Sequence, residues 1–292
     1  MPKIEKEQPA KRPTPPAPRP AGKKTGSVWD EVRGVDEWTG GGLKVVLYGR
    51  NGSGKTTFGC KFPKPLLLLG CEDGTRSVRK MKGVQFAPVH SSQQIGEVAD
   101  GVISRGYKSV VIDTATSLQD IVLRELLRLD KVPVQLGWGT VDQTVYRQRS
   151  EKTKELLRLF LDLAPKGMNV VVLAQEKNHS SADGEGSGDS EILVPFVGAS
   201  LGRSTANWLH ENVDYICQTY TREGLAEKTV TVGGKPTTIV EKTGRIEFCL
   251  RTQRAHPVYA AKVRTDEDET VPDFLVSPTY ESFCRAVGIR NG

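Results

Sequence analysis

Gly49-Arg50-Asn51-Gly52-Ser53-Gly54-Lys55-Thr56 sets two glycines, a lysine and a hydroxyl at the spacing GxxxxGK[ST]. The glycines let successive backbone N–H groups close around phosphate oxygens. The Lys55 ammonium then reaches the β- and γ-phosphates, and the Thr56 hydroxyl ligates Mg²⁺. The apolar run Leu43-Lys44-Val45-Val46-Leu47-Tyr48 precedes the loop directly and reads as a buried strand. A helix beginning near Lys55 adds its positive end to the same point. Gly49 to Thr57 are therefore the expected nucleotide-binding residues, with ATP or GTP as ligand and Mg²⁺ as companion.

A phosphate cradle alone hydrolyses nothing. A buried strand must also deliver a carboxylate to the metal shell, and Val110-Val111-Ile112-Asp113 meets that need with Asp113. A second carboxylate must orient or deprotonate the attacking water. The residue after Asp113 is Thr114, so the base comes from elsewhere. Glu72, in Gly70-Cys71-Glu72-Asp73-Gly74-Thr75 beyond the run Leu66–Leu69, is the candidate, with Asp73 as its alternative. At the end of a further apolar run, Leu173-Ala174-Gln175-Glu176 puts the Gln175 amide where it can sense a γ-phosphate. The stretch His179 to Ser190 that follows is rich in Ser, Gly and Asp, and reads as a mobile loop.

These side chains need a scaffold whose strand ends share one edge. Short apolar runs at 44–48, 66–69, 109–113, 169–174 and 213–217 alternate with helical patterns at about 55–61, 91–105, 115–130 and 142–164. Alternation of this kind implies a parallel sheet flanked by helices, its strands covered on both faces. In the third helix Ile121, Val122, Leu123, Leu126, Leu127 and Leu129 form the expected buried face. Past residue 220 the β-branched runs 228–232 and 237–240, split by Gly233-Gly234-Lys235-Pro236, read as a β-hairpin. A further strand is expected at 245–250.

The chain has 292 residues and a net charge of +6. Residues 1–26 hold seven Lys/Arg against two Glu, and seven of the seventeen prolines. That composition buries no core, so a disordered basic tail is expected, either solubilising or a tether to nucleic acid or an acidic partner. Residues 27–42 read as a lead-in and 43–292 as the ATPase domain. The five scattered cysteines show no metal spacing and read as reduced thiols of a cytoplasmic protein. No run is long enough to span a membrane.

Together these motifs resemble the RecA-like ATPase core, over roughly residues 40–265. The resemblance is closest to the phage Sak-type single-strand annealing and recombination ATPases. It implies an α/β, RecA-like P-loop NTPase fold with late β-hairpin strands, ATP hydrolysis, single-stranded DNA as partner and a homo-oligomer. A single-strand-binding or replication partner for the tail belongs to the same expectation. Glu72 looks like the family's catalytic Glu, and Gln175 like the strand-end Gln that opens a DNA-binding loop. Cys249-Leu250-Arg251-Thr252-Gln253-Arg254 is similar to the late strand whose basic pair, here Arg251 and Arg254, reaches a neighbouring subunit's γ-phosphate. The chain departs from the pattern in two places. It shows no separate N-terminal fold before the core, and its loop after Gln175 is acidic (Asp183, Glu185, Asp189, Glu191). Phosphate contacts would fall to Lys177, Arg203, Arg147 and Arg149. The competing readings are a RecA-core helicase or helicase loader, a P-loop small-molecule kinase, and a nucleotide-gated scaffold.

Overall fold

The five apolar runs become strands because every second side chain meets one of two separate apolar layers. In the computed structural model these strands are β1 (Lys44–Gly49), β2 (Leu66–Gly70), β4 (Ser109–Asp113), β5 (Asn169–His179) and β7 (Tyr215–Val232); β3 (Val84–Pro88) lies between β2 and β4 in sequence. The structure describes residues 41–72, 75–129, 142–179, 196–232, 235–253, 255–256, 258–265 and 270–289. The chain divides into two units, Met1–Thr39 and Gly40–Gly292. The expected tail, and the lead-in up to residue 40, lie outside the described residues.

Val46, Tyr48, Leu67, Leu69, Val110, Ile112, Val170 and Val172 point into one layer. There they meet α2 (Ser92–Gly101), α3 (Ala115–Leu127), α4 (Gln143–Leu161) and α5 (Arg203–Asn212), which contribute Ile95, Leu118, Val122, Phe160 and Leu209. Val45, Leu47, Leu66, Leu68, Val111, Val171 and Leu173 point the other way. They pack on Phe58 of α1 (Lys55–Gly59) and Phe283 of α6 (Tyr280–Ala286), whose rings meet edge-on at 6.0 Å. A strand clothed on both faces has no polar alternation to show, which is why these runs are continuously apolar.

With β8 (Lys235–Arg251) and β10 (Phe274–Val276), the sheet runs β10-β8-β7-β1-β5-β4-β2-β3. From β7 to β3 every pairing is parallel, while β8 and β10 are antiparallel additions. β6 (Phe196–Ala199) pairs with the far end of β5, and β9 (Lys262–Val263) with β7. This is the α/β, mainly parallel architecture expected of a RecA-like P-loop core, late hairpin included.

Three expectations need correction. The run 169–174 does not stop at the sheet edge but continues through Gln175–His179, because β6 offers those residues a partner. The hairpin and the later strand are one ribbon. β7 and β8 pair almost without break from Gln218↔Arg251 to Val232↔Lys235, with one register shift at Glu223/Leu225 near Gly244, whose φ is 69°. The polar stretch between the apolar runs stays extended because its charges pair across and along the ribbon, as in Arg222–Glu247, Lys242–Glu223 and Lys228–Glu241. Finally, the buried face of α3 is Leu118, Ile121, Val122 and Leu123. Leu126 and Leu129 are exposed, since the helix ends at Leu127 and Arg128 turns left-handed at φ 52°.

Candidate active site

Sheet register brings the expected site residues to one edge. Gly49 at the end of β1 is level with Gln175 of β5 on one side and Thr219 of β7 on the other. Two strands further, Asp113 of β4 is level with Gly70 of β2. Ligands of open α/β sheets sit outside such carboxyl ends.

The loop between β1 and α1 is held by its own chemistry. Gly52 and Gly54 take φ of 77° and 89°, where a side chain is strained. Gly49 has no room for a Cβ, which would stand 2.2 Å from the Thr219 carbonyl oxygen. Below the loop, the buried Ser53 and Thr219 hydroxyls share a hydrogen bond of 2.7 Å, and Thr219 also donates to the Tyr48 carbonyl.

Lys55, buried against the loop, donates to the carbonyls of Gly49 (2.7 Å) and Arg50 (2.9 Å) and to Gln175 Oε1 (3.2 Å). Burial lowers its pKa, while the negative charges of Asp113, Glu72 and Glu176 oppose that shift. At the next residue, Thr56 Oγ1 donates to Asp113 Oδ2 at 2.8 Å. Asp113 is buried, and burial pushes its carboxyl up to about 6. Glu72 adds to that rise, while the Thr56 hydrogen bond and Lys55 oppose it. A carboxylate and a hydroxyl converging beside a phosphate loop fit Mg²⁺. Among the described residues no three His, Cys, Asp or Glu side chains form a free-standing metal cluster. Thr56 and Asp113 would hold such an ion, which would supply positive charge to offset that of the nucleotide phosphates.

Glu72 stands beside this pair. The Cys71 amide donates to the Asp113 carbonyl at 2.7 Å, fixing the start of the loop that carries Glu72. Its Oε2 accepts from Ser117 Oγ at 2.7 Å, in the first turn of α3. A carboxylate held there, next to the Thr56–Asp113 pair, can accept a proton from water. Asp73, its alternative, lies outside the described residues.

Gln175 is tied on three sides. Its amide nitrogen donates to Thr116 Oγ1 at 3.0 Å, its carbonyl accepts from the Ser200 amide, and its side chain accepts from Lys55. The next residue opens a polar chain across the sheet edge. Arg50 Nε donates to Glu176 Oε1 at 3.1 Å, Gln218 Nε2 donates to Glu176 Oε2 at 2.7 Å, and Arg251 Nε donates to Gln218 Oε1 at 3.1 Å. The Arg251 guanidinium also faces the rings of Tyr259 and Tyr220, at 4.3 and 5.1 Å from their centres. Within its own chain Arg251 is thus a bonded, stacked residue, whereas Arg254 lies outside the described residues. Of the other basic side chains, Arg203 and Arg147 are exposed on α5 and α4. Arg149 is half-buried against the Tyr146 ring, and Lys177 follows on β5.

Sequence reasoning missed Ser117, Thr116, Gln218 and Thr219. The signal for the last two was present: Tyr215-Ile216-Cys217-Gln218-Thr219 ends an apolar run in polar residues, as the Asp113 and Gln175 strands do. Thr116 and Ser117 had a weaker one, the Thr114-x-x-Ser117 spacing of a helix cap, in which Thr114 Oγ1 accepts from the Ser117 amide at 3.1 Å.

No curated protein matches the chain. Among solved structures, a KaiC-like protein from the hyperthermophilic archaeon Pyrococcus horikoshii OT3 matches over 72% of this chain and 85% of that one. It shares 14% identity at a TM-score of 0.37, too distant a likeness to carry an argument. The family described as AAA domain matches residues 41–264, from the glycines before β1 to the end of β9. With its phosphate loop and Thr56–Asp113 pair inside that span, the chain belongs to the AAA domain family and is a P-loop ATPase.

Proposed function

We propose that this ATPase hydrolyses ATP with Mg²⁺ to act on single-stranded DNA, in annealing or recombination, as a homo-oligomer. The observation that carries the reading is the hydrogen bond from Lys55 Nζ to Gln175 Oε1 at 3.2 Å. A γ-phosphate that draws Lys55 toward itself breaks that bond. Gln175 is continuous with Glu176–His179, which pair with β6, and its carbonyl holds Ser200 just before α5. A change at the phosphate therefore reaches the segment between β5 and α5, where the DNA contact is proposed. The choice of annealing and recombination rests on the resemblance carried by Gln175 and the Arg251–Arg254 motif.

In this reading Glu72 activates the water, Ser117 holds Glu72, and Asp113 with Thr56 holds the metal. Arg254 completes a neighbour's site, and the basic residues 1–26 tether nucleic acid or a replication partner. The test is the ATPase rate with and without single-stranded DNA, beside an assay for ATP-driven strand displacement. Stimulation without displacement is expected. Displacement would move the protein to the helicases, and neither effect would point to a kinase or a nucleotide-gated scaffold. Deleting residues 1–26 is expected to leave the basal ATPase rate unchanged. It should flatten the salt dependence of DNA binding by about one unit of slope for each phosphate no longer neutralised.

A further inference from the structure

Phe248 is a large apolar side chain left 46% exposed on β8, a few ångströms from the phosphate loop. A Cβ built on Gly54 would stand 3.2 Å from Phe248 Cδ1, so the ring edge lies against the last glycine before Lys55. One exposed phenylalanine is ordinary on a protein surface. Its direction from the loop is what distinguishes this one.

The groups that act at the γ end, Asp113, Glu72 and Gln175, belong to β4, β2 and β5 or the turns that follow them. All lie on one side of β1 in the sheet order β10-β8-β7-β1-β5-β4-β2-β3. A triphosphate with its γ end on that side leaves the loop, at its nucleoside end, on the other side, over β7 and β8. Phe248 stands there. Its backbone is fixed by pairing with Thr221 of β7 and by accepting from the Ser277 amide at 2.7 Å, so the ring stands on a paired strand.

We propose that Phe248 is the platform on which the nucleobase stacks. The ring offers a π-face and no hydrogen-bonding group, and stacking of that kind tolerates any base. Adenine and guanine nucleotides therefore bind with similar strength, and the phosphate loop contributes the rest. This inference rests on the nucleotide reading of the loop.

The test compares ATP, GTP and inorganic tripolyphosphate, each with Mg²⁺, on the full chain by calorimetry. The wild type should bind ATP and GTP within a few-fold of each other, and tripolyphosphate more weakly. Phe248→Ala should weaken ATP and GTP about 5- to 150-fold, the usual worth of one base–aromatic stack, and leave tripolyphosphate unchanged. Phe248→Trp should retain nucleotide affinity, which shows that the position needs a flat ring and that the variants fold. Loss of tripolyphosphate and ATP in equal proportion, or no change in either, overturns the platform. A wild type that binds neither tripolyphosphate nor ATP overturns the nucleotide reading itself.

Discussion

Thr56 and Asp113, 57 positions apart in sequence, meet through a 2.8 Å hydrogen bond between the start of α1 and the end of β4. No other hydrogen bond joins the phosphate loop's helix to the metal-side carboxylate among those the described residues make. The consequence is that Asp113→Asn acts through the metal. The amide cannot match the charge of the carboxylate, so the Mg²⁺ that Asp113 is proposed to hold should bind about 10–100-fold more weakly. Mg²⁺ titration of the ATPase should show the requirement rising by that factor, while nucleotide affinity measured without metal stays near wild type.

Lys55→Ala should abolish triphosphate binding and leave the fold intact. The ammonium is buried, which lowers its pKa, and among the described residues it bonds loop carbonyls and Gln175, so its removal takes little from the core. Calorimetry with ATP should show no binding, beside an unchanged circular dichroism spectrum. Wild-type affinity in this variant would refute the assignment of the loop.

For Glu72→Gln, ATP should bind as before, while kcat drops about 10²–10⁴-fold, the range of general-base catalysis. Ser117→Ala should cost less and lower kcat with KM little changed, because Ser117 acts on Glu72 through its 2.7 Å hydrogen bond and not on substrate. Single-turnover hydrolysis separates these effects from product release. A near-normal kcat in Glu72→Gln would send the search to Asp73 or Glu176.

Arg251 and Arg254 form a pair in the sequence motif, yet different outcomes follow for each. Arg251 stacks on Tyr259 and bonds Gln218, so Arg251→Ala should lower the melting temperature as well as activity. Arg254→Ala should bind ATP normally and hydrolyse it poorly, since an arginine supplied in trans is typically worth about 10³–10⁵ in rate. Mixing Arg254→Ala with Lys55→Ala should restore activity at mixed interfaces. No restoration, with specific activity independent of protein concentration, would remove the inter-subunit role.

Local chemistry was the legible part of this chain. Gly52, Gly54, Lys55 and Thr56 are close in sequence, and their types are dictated by backbone angle and phosphate, so they could be read directly. Asp113, Glu72 and Gln175 were legible because each closes, or shortly follows, a buried apolar run, and parallel register then aligns the runs. Contacts that depend on strand order were not legible. The placement of β7 beside β1 brings Gln218 and Thr219 to the loop, and no pattern within residues 215–219 states which strand will be the neighbour. The ribbon was seen in pieces for a related reason. Its polar middle stays extended through cross-strand charges such as Arg222–Glu247, which become partners only once both strands are in place.

Beyond Thr221 and Phe248, the latter of which still accepts from the Ser277 amide, the β7–β8 ribbon pairs only with itself among the described residues. A two-stranded ribbon of this kind is marginally stable, so it opens without the core opening. Amide hydrogens from Leu225 to Lys242 should therefore exchange with solvent long before those of Val46 or Val171. The same independence makes the ribbon the natural place for new chain ends. A reporter domain spliced in between the ribbon's two strands, after Val232, would ride on an element whose root, at Gln218 and Arg251, keeps its own bonds to the site.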